Sequence, residues 1–288
     1  MTDKSDEVTK IFYAQSIIHL IGTAHFSKKS NNLVYDTIQR EKPDAVFLEI
    51  CNERIPLATS TDEELKVMIK NAGKPTVKGK SMSEKAPSML QNLLLKASSS
   101  AQDKLEMLPG GEMRAAYQSC MKLNRDYQTA YDTALPLSDG EDDSRPEYYG
   151  NKCKVVFGDR PVSQTLARAF NPLSYYQKMR LAYSFLNSIN EMEAITTEEV
   201  EKAKNEDEIT KFINEMKDDY PEFAYAMIDE RNQYMVGKLQ ETAKRHKNIV
   251  AVVGAGHVPG MVEIFEQGKS MARYSQKIFF EFAWKFLP

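Results

Sequence analysis

The stretch Ile249-Val250-Ala251-Val252-Val253-Gly254-Ala255-Gly256-His257 decides the fold class of this chain. It joins a continuous apolar run to a glycine-rich turn that ends in a histidine. An apolar run of this length predicts a strand covered on both faces, which is typical of parallel sheets flanked by helices. The pattern occurs again near the start, where Ile17-Ile18-His19-Leu20-Ile21 leads into Gly22-Thr23-Ala24-His25. The sequence therefore predicts two buried strands, each followed by a Gly-x-x-His turn.

Two further segments, residues 45–50 and 154–157, have the composition of buried strands. The segments between the strands carry helix signals, such as the capping box that runs from Thr61 to Glu64 and the proline at position 161. Strands separated by helices predict an α/β fold. We expect a mixed or parallel central sheet flanked by helices, with helical insertions, the largest between the third and fourth predicted strands.

The predicted domain organisation has three parts. Residues 1–16 are predicted to be a polar N-terminal tail, residues 17–270 the α/β domain with its helical insertions, and residues 271–288 an aromatic C-terminal tail. In that tail Phe279, Phe282, Ala283 and Phe286 recur at helical spacing and give one apolar face. Such a face would either dock on the protein's own core or make a peripheral membrane contact.

Composition narrows the class of protein and its compartment. The 288 residues carry a net charge of −3, which does not favour an electrostatic nucleic-acid binder. The three cysteines, Cys51, Cys120 and Cys153, form no CxxC pair, so we expect buried free thiols in a reducing compartment. Residues 1–7 lack the apolar core of a secretory signal, and no stretch approaches the ~20 apolar residues of a membrane span. These features predict a cytoplasmic protein that is not secreted.

The residues that could bind a ligand or take part in a reaction lie at the ends of the predicted strands. In open α/β sheets, ligand sites gather beyond the carboxyl ends of the strands. Here those ends carry His25, Glu49, Arg160 and His257. Glu49 lies in an apolar strand, where an unpaired carboxylate would be costly. It therefore needs a metal, a set of hydrogen-bond donors, or a cation such as Arg160 or Arg231.

Two imidazoles and a carboxylate form a plausible site for a first-row metal. The same groups could instead act as a base and an orienting acid without a metal. For each histidine taken alone, a buried, hydrogen-bonded ring is the favoured interpretation. The matching glycine-rich turns of His25 and His257 favour one shared polar site.

Two other positions have both a functional and a structural interpretation. Glu112 begins a predicted helix after Gly110-Gly111, where a carboxylate is also favoured by the helix dipole. Arg231 ends the run Asp229-Glu230-Arg231 inside a long predicted helix. That run could be a solvated charge cluster, or its arginine could bind an anionic group through two hydrogen bonds.

Taken in order, these motifs resemble the TraB family, which is related to PrgY, to GumN and to the Tiki proteins. The segments that carry the resemblance are Leu20-Ile21-Gly22-Thr23-Ala24-His25-Phe26-Ser27, Pro43-Asp44-Ala45-Val46-Phe47-Leu48-Glu49, Gly111-Glu112-Met113-Arg114-Ala115-Ala116, Gly158-Asp159-Arg160-Pro161, Asp229-Glu230-Arg231 and Val253-Gly254-Ala255-Gly256-His257-Val258-Pro259-Gly260. The resemblance runs from about residue 17 to residue 260 and rests on several ordered motifs.

The resemblance implies an α/β core shared with hydrolase-like proteins. Tiki proteins are membrane-tethered, metal-dependent proteases, and their two Gly-x-x-His motifs and glutamate correspond to positions that include His25, His257 and Glu49 here. TraB and PrgY proteins limit the activity of a peptide pheromone, and some animal proteins similar to this chain are linked to the mitochondrial outer membrane. The chain differs from Tiki proteins because its sequence has no recognisable signal peptide or membrane anchor.

The function implied is a metal-dependent, peptidase-like hydrolase that acts on a peptide or protein. His25, Glu49 and His257 would hold a divalent metal (Zn, Mn or Co). Glu112 would be the general base or a further ligand, and Arg160 or Arg231 would stabilise developing negative charge.

Two alternatives remain open at this point. One is a non-catalytic binding or regulatory protein at an intracellular membrane such as the mitochondrial outer membrane, which the aromatic tail favours. The other is a metal-free hydrolase that uses a histidine as its base.

Overall fold

The computed structural model describes residues 2–5, 8–23, 28–72, 110–132, 152–181, 183 and 217–268. The strands in this part of the chain are β1 (Thr2–Ser5), β2 (Val8–Tyr13), β3 (Ser16–Thr23), β4 (Ala45–Leu48), β5 (Lys154–Phe157) and β6 (Asn248–Gly254). They form one sheet in the order β1-β2-β3-β6-β4-β5. The strands β3, β6, β4 and β5 are parallel, whereas β1 and β2 are antiparallel to their neighbours.

Helices connect the parallel strands. The described helices are α1 (Lys28–Glu41), α2 (Pro56–Thr59), α3 (Asp62–Ala72), α4 (Gly111–Asp132), α5 (Val162–Phe170), α6 (Pro221–Ala224), α7 (Glu230–Ala243) and α8 (Val258–Glu266). A π-helical segment, Tyr225–Asp229, joins α6 to α7, and a 3₁₀ turn, Ala255–His257, joins β6 to α8. The prediction of an α/β fold with a mixed, mostly parallel sheet is confirmed.

The N-terminal residues correct the expectation of a tail over residues 1–16. Strands β1 and β2 extend the sheet there, and Val8 and Ile11 of β2 pair with Ile21 and Ile18 of β3. The side chains of Val8 and Ile11 are both buried. Without β2, the edge of β3 would expose unpaired backbone N–H and C=O groups, so a hairpin strand is favoured at that position. The polar residues around these two apolar ones conceal the strand in the sequence.

The sheet has an apolar core on each face, because side chains along a strand alternate between the faces. In β6, Val250 and Val252 pack on the face covered by α1 and α4. Ile249, Ala251 and Val253 pack on the other face, against α7 and α8. This complete coverage explains why the strand reads as an uninterrupted apolar run.

The largest described insertion lies between β5 and β6. It includes α5, helical residues 175–181 and the helices α6 and α7, and it has a small apolar cluster of its own. The predicted C-terminal tail, 271–288, and the helices predicted over 88–108 and 197–205 lie outside the described residues. In the part that is described, no helix is both long enough and apolar enough to cross a membrane.

Candidate functional site

The carboxyl ends of the four parallel strands meet at one edge of the sheet. Strand β6 lies between β3 and β4, with Thr23 paired to Gly254 and Leu48 to Val252. On the other side of β4, Leu48 also pairs with Phe157 of β5. The carboxyl ends of these strands therefore lie side by side.

Gly22, the first residue of one Gly-x-x-His turn, packs directly against the start and the far side of the other turn. A Cβ atom added at Gly22 would lie 2.9 Å from Cγ2 of Val258 and 3.2 Å from Cα of Ala255. The absence of a side chain at Gly22 is what allows the two chain segments to approach so closely. His25 lies outside the described residues. The predicted convergence of His25 with Glu49 and His257 therefore stays a prediction.

Glu49 follows β4 directly, and its carboxylate is buried among donors. Its Oε2 atom accepts a hydrogen bond from the backbone N–H of Gly254 at 2.6 Å, and its Oε1 atom accepts one from Nη2 of Arg231. The Nε2 atom of His257 lies 3.3 Å from the same Oε1 atom. Burial by itself would raise the pKa of Glu49, but His257, Arg231 and the Gly254 N–H hold that pKa well below its ordinary value. Glu49 is therefore a carboxylate at neutral pH.

Arg231 bridges two carboxylates. Its Nε and Nη2 atoms donate to the two oxygens of Asp159 at 3.1 Å and 2.8 Å, and Nη2 also donates to Glu49. Its Nη1 atom donates to the carbonyl of Met227 at 3.3 Å and lies 3.0 Å from Nε2 of His257. Burial would lower the pKa of Arg231, but Glu49 and Asp159 outweigh burial and raise it. Of the two arginines expected to pair with Glu49, the partner is Arg231.

The orientation of His257 is fixed by Asn232. The Nδ1 atom of His257 lies 2.7 Å from Oδ1 of Asn232, and both residues are buried. Since an amide oxygen only accepts, Nδ1 carries a proton, and Nε2 is the ring nitrogen that faces Arg231 and Glu49. Asn232 in turn packs against Gly260, where an added Cβ would lie 2.3 Å from Nδ2.

The π-helical segment Tyr225–Asp229 ends just before these residues. Three consecutive side chains then have three different partners: Glu230 binds Arg160, Arg231 binds Glu49, and Asn232 binds His257. π-Helical turns inside α-helices occur frequently at functional sites.

Arg160 belongs to a second buried cluster. Its Nη1 atom donates to Oε2 of Glu230 at 2.7 Å, Nε to Oγ1 of Thr165 at 3.1 Å, and Nη2 to the carbonyl of Ala226 at 2.9 Å. Arg168 also binds Glu230. Burial would raise the pKa of Glu230, but Arg168 and Arg160 lower it. This cluster fixes α5 against the start of α7.

Glu112 lies at the same end of the sheet as Glu49. It is buried in the first turn of α4, and a Cβ added at its neighbour Gly111 would lie 3.0 Å from Nδ2 of Asn31 in the first turn of α1. Helix α1 starts where β3 leaves the carboxyl edge. From there α4 runs towards Cys153, just ahead of β5, because Cys120 contacts that residue.

The residues that the structure describes include no group of three or more His, Cys, Asp or Glu side chains arranged to hold a metal ion. At the carboxyl edge of the sheet they place Nε2 of His257 3.3 Å from Oε1 of Glu49. Two ligands of one tetrahedral ion, each at ~2.0–2.2 Å, lie about 3.3–3.6 Å apart. The separation of the two atoms matches that range, but Arg231 contacts both of them in this structure. An ion at this position would have to displace those contacts and would need a further donor.

Two residues of the cluster, Asp159 and Asn232, were not predicted from the sequence. Asp159 follows a strand predicted to deliver groups to this edge, so its position alone could have identified it. Asn232 directly follows Arg231 in a helix, and no sequence pattern distinguishes it from a solvent-exposed asparagine. Only the packing of α7 on the sheet reveals its contact with His257.

Comparison with known proteins extends the picture from the site to the whole chain. A model of the TraB/PrgY/gumN family matches residues 8–271. A TraB domain-containing protein of Homo sapiens is 29% identical over 268 residues, which cover 85% of this chain and 62% of that relative. An uncharacterized protein of Methanocaldococcus jannaschii is 28% identical over 251 residues, or 87% of this chain and 53% of that relative. The chain thus matches only about six-tenths or less of the length of these relatives.

Proposed function

This chain belongs to the TraB/PrgY/gumN family, and we propose that it is a metal-dependent, peptidase-like hydrolase whose site is the cluster around Glu49 and His257. The observation that carries the proposal is the 3.3 Å separation of Oε1 of Glu49 and Nε2 of His257 at the carboxyl edge of the sheet. Ligand sites of open α/β sheets form at that edge.

The chemistry of the donors suits a divalent cation. Glu49 is ionised at neutral pH because its pKa is held low, so no proton has to leave it when a cation binds. Because Nδ1 of His257 faces the oxygen of Asn232, the neutral ring would offer its Nε2 lone pair to a cation. A hydrogen bond to the second ring nitrogen is the usual support of a metal-binding histidine. His25, from the other Gly-x-x-His turn, is the proposed third ligand, and the ion would be Zn, Mn or Co.

A bound ion of this kind would activate water and polarise a carbonyl group. Arg231 has a separate role in the proposal. It holds Asp159 through two hydrogen bonds in addition to its contact with Glu49. If a cation neutralises Glu49, Arg231 remains anchored on Asp159, with a guanidinium N–H free to bind the oxygen on which negative charge develops.

The proposed roles of the other two predicted residues differ. Glu112 is buried at the same end of the sheet and is proposed as the general base. Arg160 is committed to Glu230, Thr165 and a backbone carbonyl. We therefore propose that Arg160 orients the first turn of α7 and that Arg231 alone serves the reaction.

The proposed substrate is a peptide or protein, and no nucleic-acid partner is proposed. The proposed compartment is the cytosol, with a peripheral contact to a membrane such as the mitochondrial outer membrane through residues 271–288. This assignment rests on the resemblance and on the pattern of that segment in the sequence.

The test uses the full chain purified without a histidine tag. Elemental analysis and calorimetric titration of Zn, Mn and Co into chelator-treated protein measure binding, and mass spectrometry of a peptide mixture measures cleavage. We expect about one ion per chain, with affinity reduced at least ~100-fold in His257→Ala and Glu49→Gln. His246→Ala is the matched control, because His246 lies beside Asp44 at the opposite edge of the sheet. Cleavage should require the added ion and should be lost in both site variants.

The alternatives give different results in the same experiment. Cleavage that persists with chelator but disappears in His257→Ala would replace the metal with a metal-free, histidine-dependent reaction. Equal metal binding by wild type and His257→Ala would remove the ion from this cluster. A chain with neither metal nor cleavage would instead be a binding or regulatory protein.

A further inference from the structure

Two buried cysteines face each other away from the Glu49 cluster. The Sγ atom of Cys120 lies 2.9 Å from the Sγ atom of Cys153. Cys120 is in the middle of α4, and Cys153 directly precedes β5. The two residues are 33 positions apart in the chain, and neither has a role in the proposed hydrolase.

The backbone around Cys153 is held firmly against α4. Its carbonyl accepts a hydrogen bond from Nδ2 of Asn124 at 2.9 Å, and Sγ of Cys120 lies 3.3 Å from the same oxygen. Both thiols are almost inaccessible, with 0% and 3% of each residue exposed. The facing sulfurs are thus a consequence of how α4 packs at the start of β5.

The contact between the two sulfurs makes the two thiols unequal as acids. The hydrogen bond between the two thiols lowers the pKa of Cys120 and outweighs the effect of burial. The same interaction, together with burial, raises the pKa of Cys153. Cys120 is therefore the sulfur that becomes the thiolate, and the thiolate is the nucleophile in thiol chemistry.

We propose that Cys120 and Cys153 are a redox modification site that closes to an intramolecular disulfide when the protein meets a peroxide. The Cys120 thiolate attacks one oxygen of hydrogen peroxide, the O–O bond breaks, and hydroxide leaves, which gives a sulfenic acid. The Cys153 sulfur then attacks the Cys120 sulfur, and water leaves as the S–S bond forms. In total, two thiols and one peroxide give one disulfide and two waters. Each sulfur loses one electron, and the peroxide gains two.

Little movement is needed to form this bond. A disulfide has its sulfurs ~2.05 Å apart, so the two atoms must approach by less than about 1 Å. The bond would link α4 covalently to β5 and close a long loop that includes residues 133–151. Closure of a long loop stabilises a fold, and for a chain of this size we expect the Tm to rise on the order of 5–10 °C.

The experiment treats the full reduced chain with hydrogen peroxide, removes the oxidant, and alkylates the remaining thiols in denaturant. Wild type should retain one of its three thiols, Cys51, and a non-reducing digest should contain a Cys120–Cys153 linked peptide. The higher Tm should return to its starting value after dithiothreitol. Cys51→Ala is the matched control, since it removes the other buried cysteine and should show the same linked peptide and the same shift in Tm.

Cys120→Ser and Cys153→Ser should each show no linked peptide and no reversible shift. Because wild type and Cys51→Ala carry the main readout, the test does not depend on how well the serine variants fold. Three unmodified thiols in peroxide-treated wild type would overturn the proposal. So would sulfinic acid at Cys120 with no linked peptide, or disulfides that join two chains.

Discussion

The Nδ1 atom of His257 lies 2.7 Å from the Oδ1 atom of Asn232, and this contact determines which imidazole nitrogen faces the carboxylate of Glu49. The neutral ring could otherwise carry its proton on either nitrogen. Because Nδ1 faces Asn232, Nε2 is the nitrogen that lies 3.0 Å from Nη1 of Arg231 and 3.3 Å from Oε1 of Glu49. Asn232 is therefore a positioning residue for the site.

The first prediction concerns this tautomer. In Asn232→Ala the Nδ1 proton loses its acceptor, so ¹⁵N NMR of the imidazole should change from a single Nδ1–H tautomer to a mixture. Metal affinity should decrease about 10–100-fold, which is typical for removal of such a supporting group. Asn232→Asp keeps an oxygen acceptor and should restore the single tautomer. An unchanged imidazole spectrum in Asn232→Ala would show that another group orients the ring.

The second prediction is a pH dependence of stability that comes from Glu49. Its pKa in the folded protein is held well below the ordinary value of 4.5. A carboxyl group of this kind stabilises the fold fully above pH 4.5 and loses its contribution as the pH falls towards the depressed value. Glu49→Gln should therefore lower the free energy of unfolding by about 3–5 kcal/mol at pH 7, as expected for breaking a buried ion pair.

Urea unfolding at pH 7.0, 5.5, 4.5 and 3.5 tests the prediction. The difference in free energy of unfolding between wild type and Glu49→Gln should decrease as the pH falls below 4.5. The exposed variant Glu263→Gln on α8 measures what the loss of one surface negative charge does at each pH. A difference between wild type and Glu49→Gln that stays constant down to pH 3.5 would contradict the prediction.

The third prediction is that Arg231 and Asp159 are strongly coupled. Arg231→Met leaves two buried carboxylates, Glu49 and Asp159, without their shared cation, whereas Asp159→Asn removes one charge and keeps the shape. The double variant should lose less free energy of unfolding than the two single variants lose together, by about 1–3 kcal/mol. Urea unfolding of the four proteins gives this coupling, and additive losses would mean that the two hydrogen bonds between these residues contribute nothing specific.

The sequence predicted the parts of this fold that depend on local pattern. The four central strands are apolar runs, and the capping box is formed as expected: the N–H of Thr61 donates to Glu64 at 2.9 Å, and the N–H of Glu64 donates to Oγ1 of Thr61 at 3.2 Å. Strand β2 was not predicted, because its buried residues Val8 and Ile11 indicate a strand only when they are seen paired with the edge of β3. Pairing partners of that kind are not encoded in the pattern of one segment.

The candidate site was predictable in its location and less so in its connections. The rule for carboxyl ends of parallel strands predicted that Glu49 and His257 would meet, and they do. It could not distinguish Arg160 from Arg231, since both are arginines near strand ends or helices at that edge. Their roles differ because Arg160 pairs with Glu230, whereas Arg231, the next residue of α7, pairs with Glu49.

The fourth prediction separates these two arginines experimentally. Arg160→Met should lower the free energy of unfolding by about 3–5 kcal/mol, because Glu230 loses a buried partner. Wherever the folded protein is populated, its metal affinity should stay within about threefold of wild type, since Nε2 of His257 and Oε1 of Glu49 are untouched. A loss of metal binding as large as in Glu49→Gln would give Arg160 the direct role that the sequence first suggested.

The last prediction tests how the turn that carries Asp159 is built. The ring of Phe47 lies against Gly158, where an added Cβ would be 1.8 Å from Cζ and 2.1 Å from Cε2. The backbone N–H of Gly158 also donates to the carbonyl of Leu48 at 2.9 Å, so the turn cannot move away without losing that bond. Gly158→Ala should therefore destabilise the fold by about 3 kcal/mol or more, at the upper end of what overpacking costs.

Phe47→Leu removes the ring atoms that collide with the new methyl group, so it should rescue Gly158→Ala. The double variant should be at least ~1 kcal/mol more stable than the sum of the single losses predicts in urea unfolding. Gly268→Ala is the matched control: Gly268 has a φ of +64° but nothing within 4 Å of its added Cβ. Its cost is conformational, about 1 kcal/mol, and Phe47→Leu should leave that cost unchanged. If Phe47→Leu fails to relieve Gly158→Ala while the control behaves as expected, the close packing of Phe47 on the Asp159 turn is not what requires glycine at position 158.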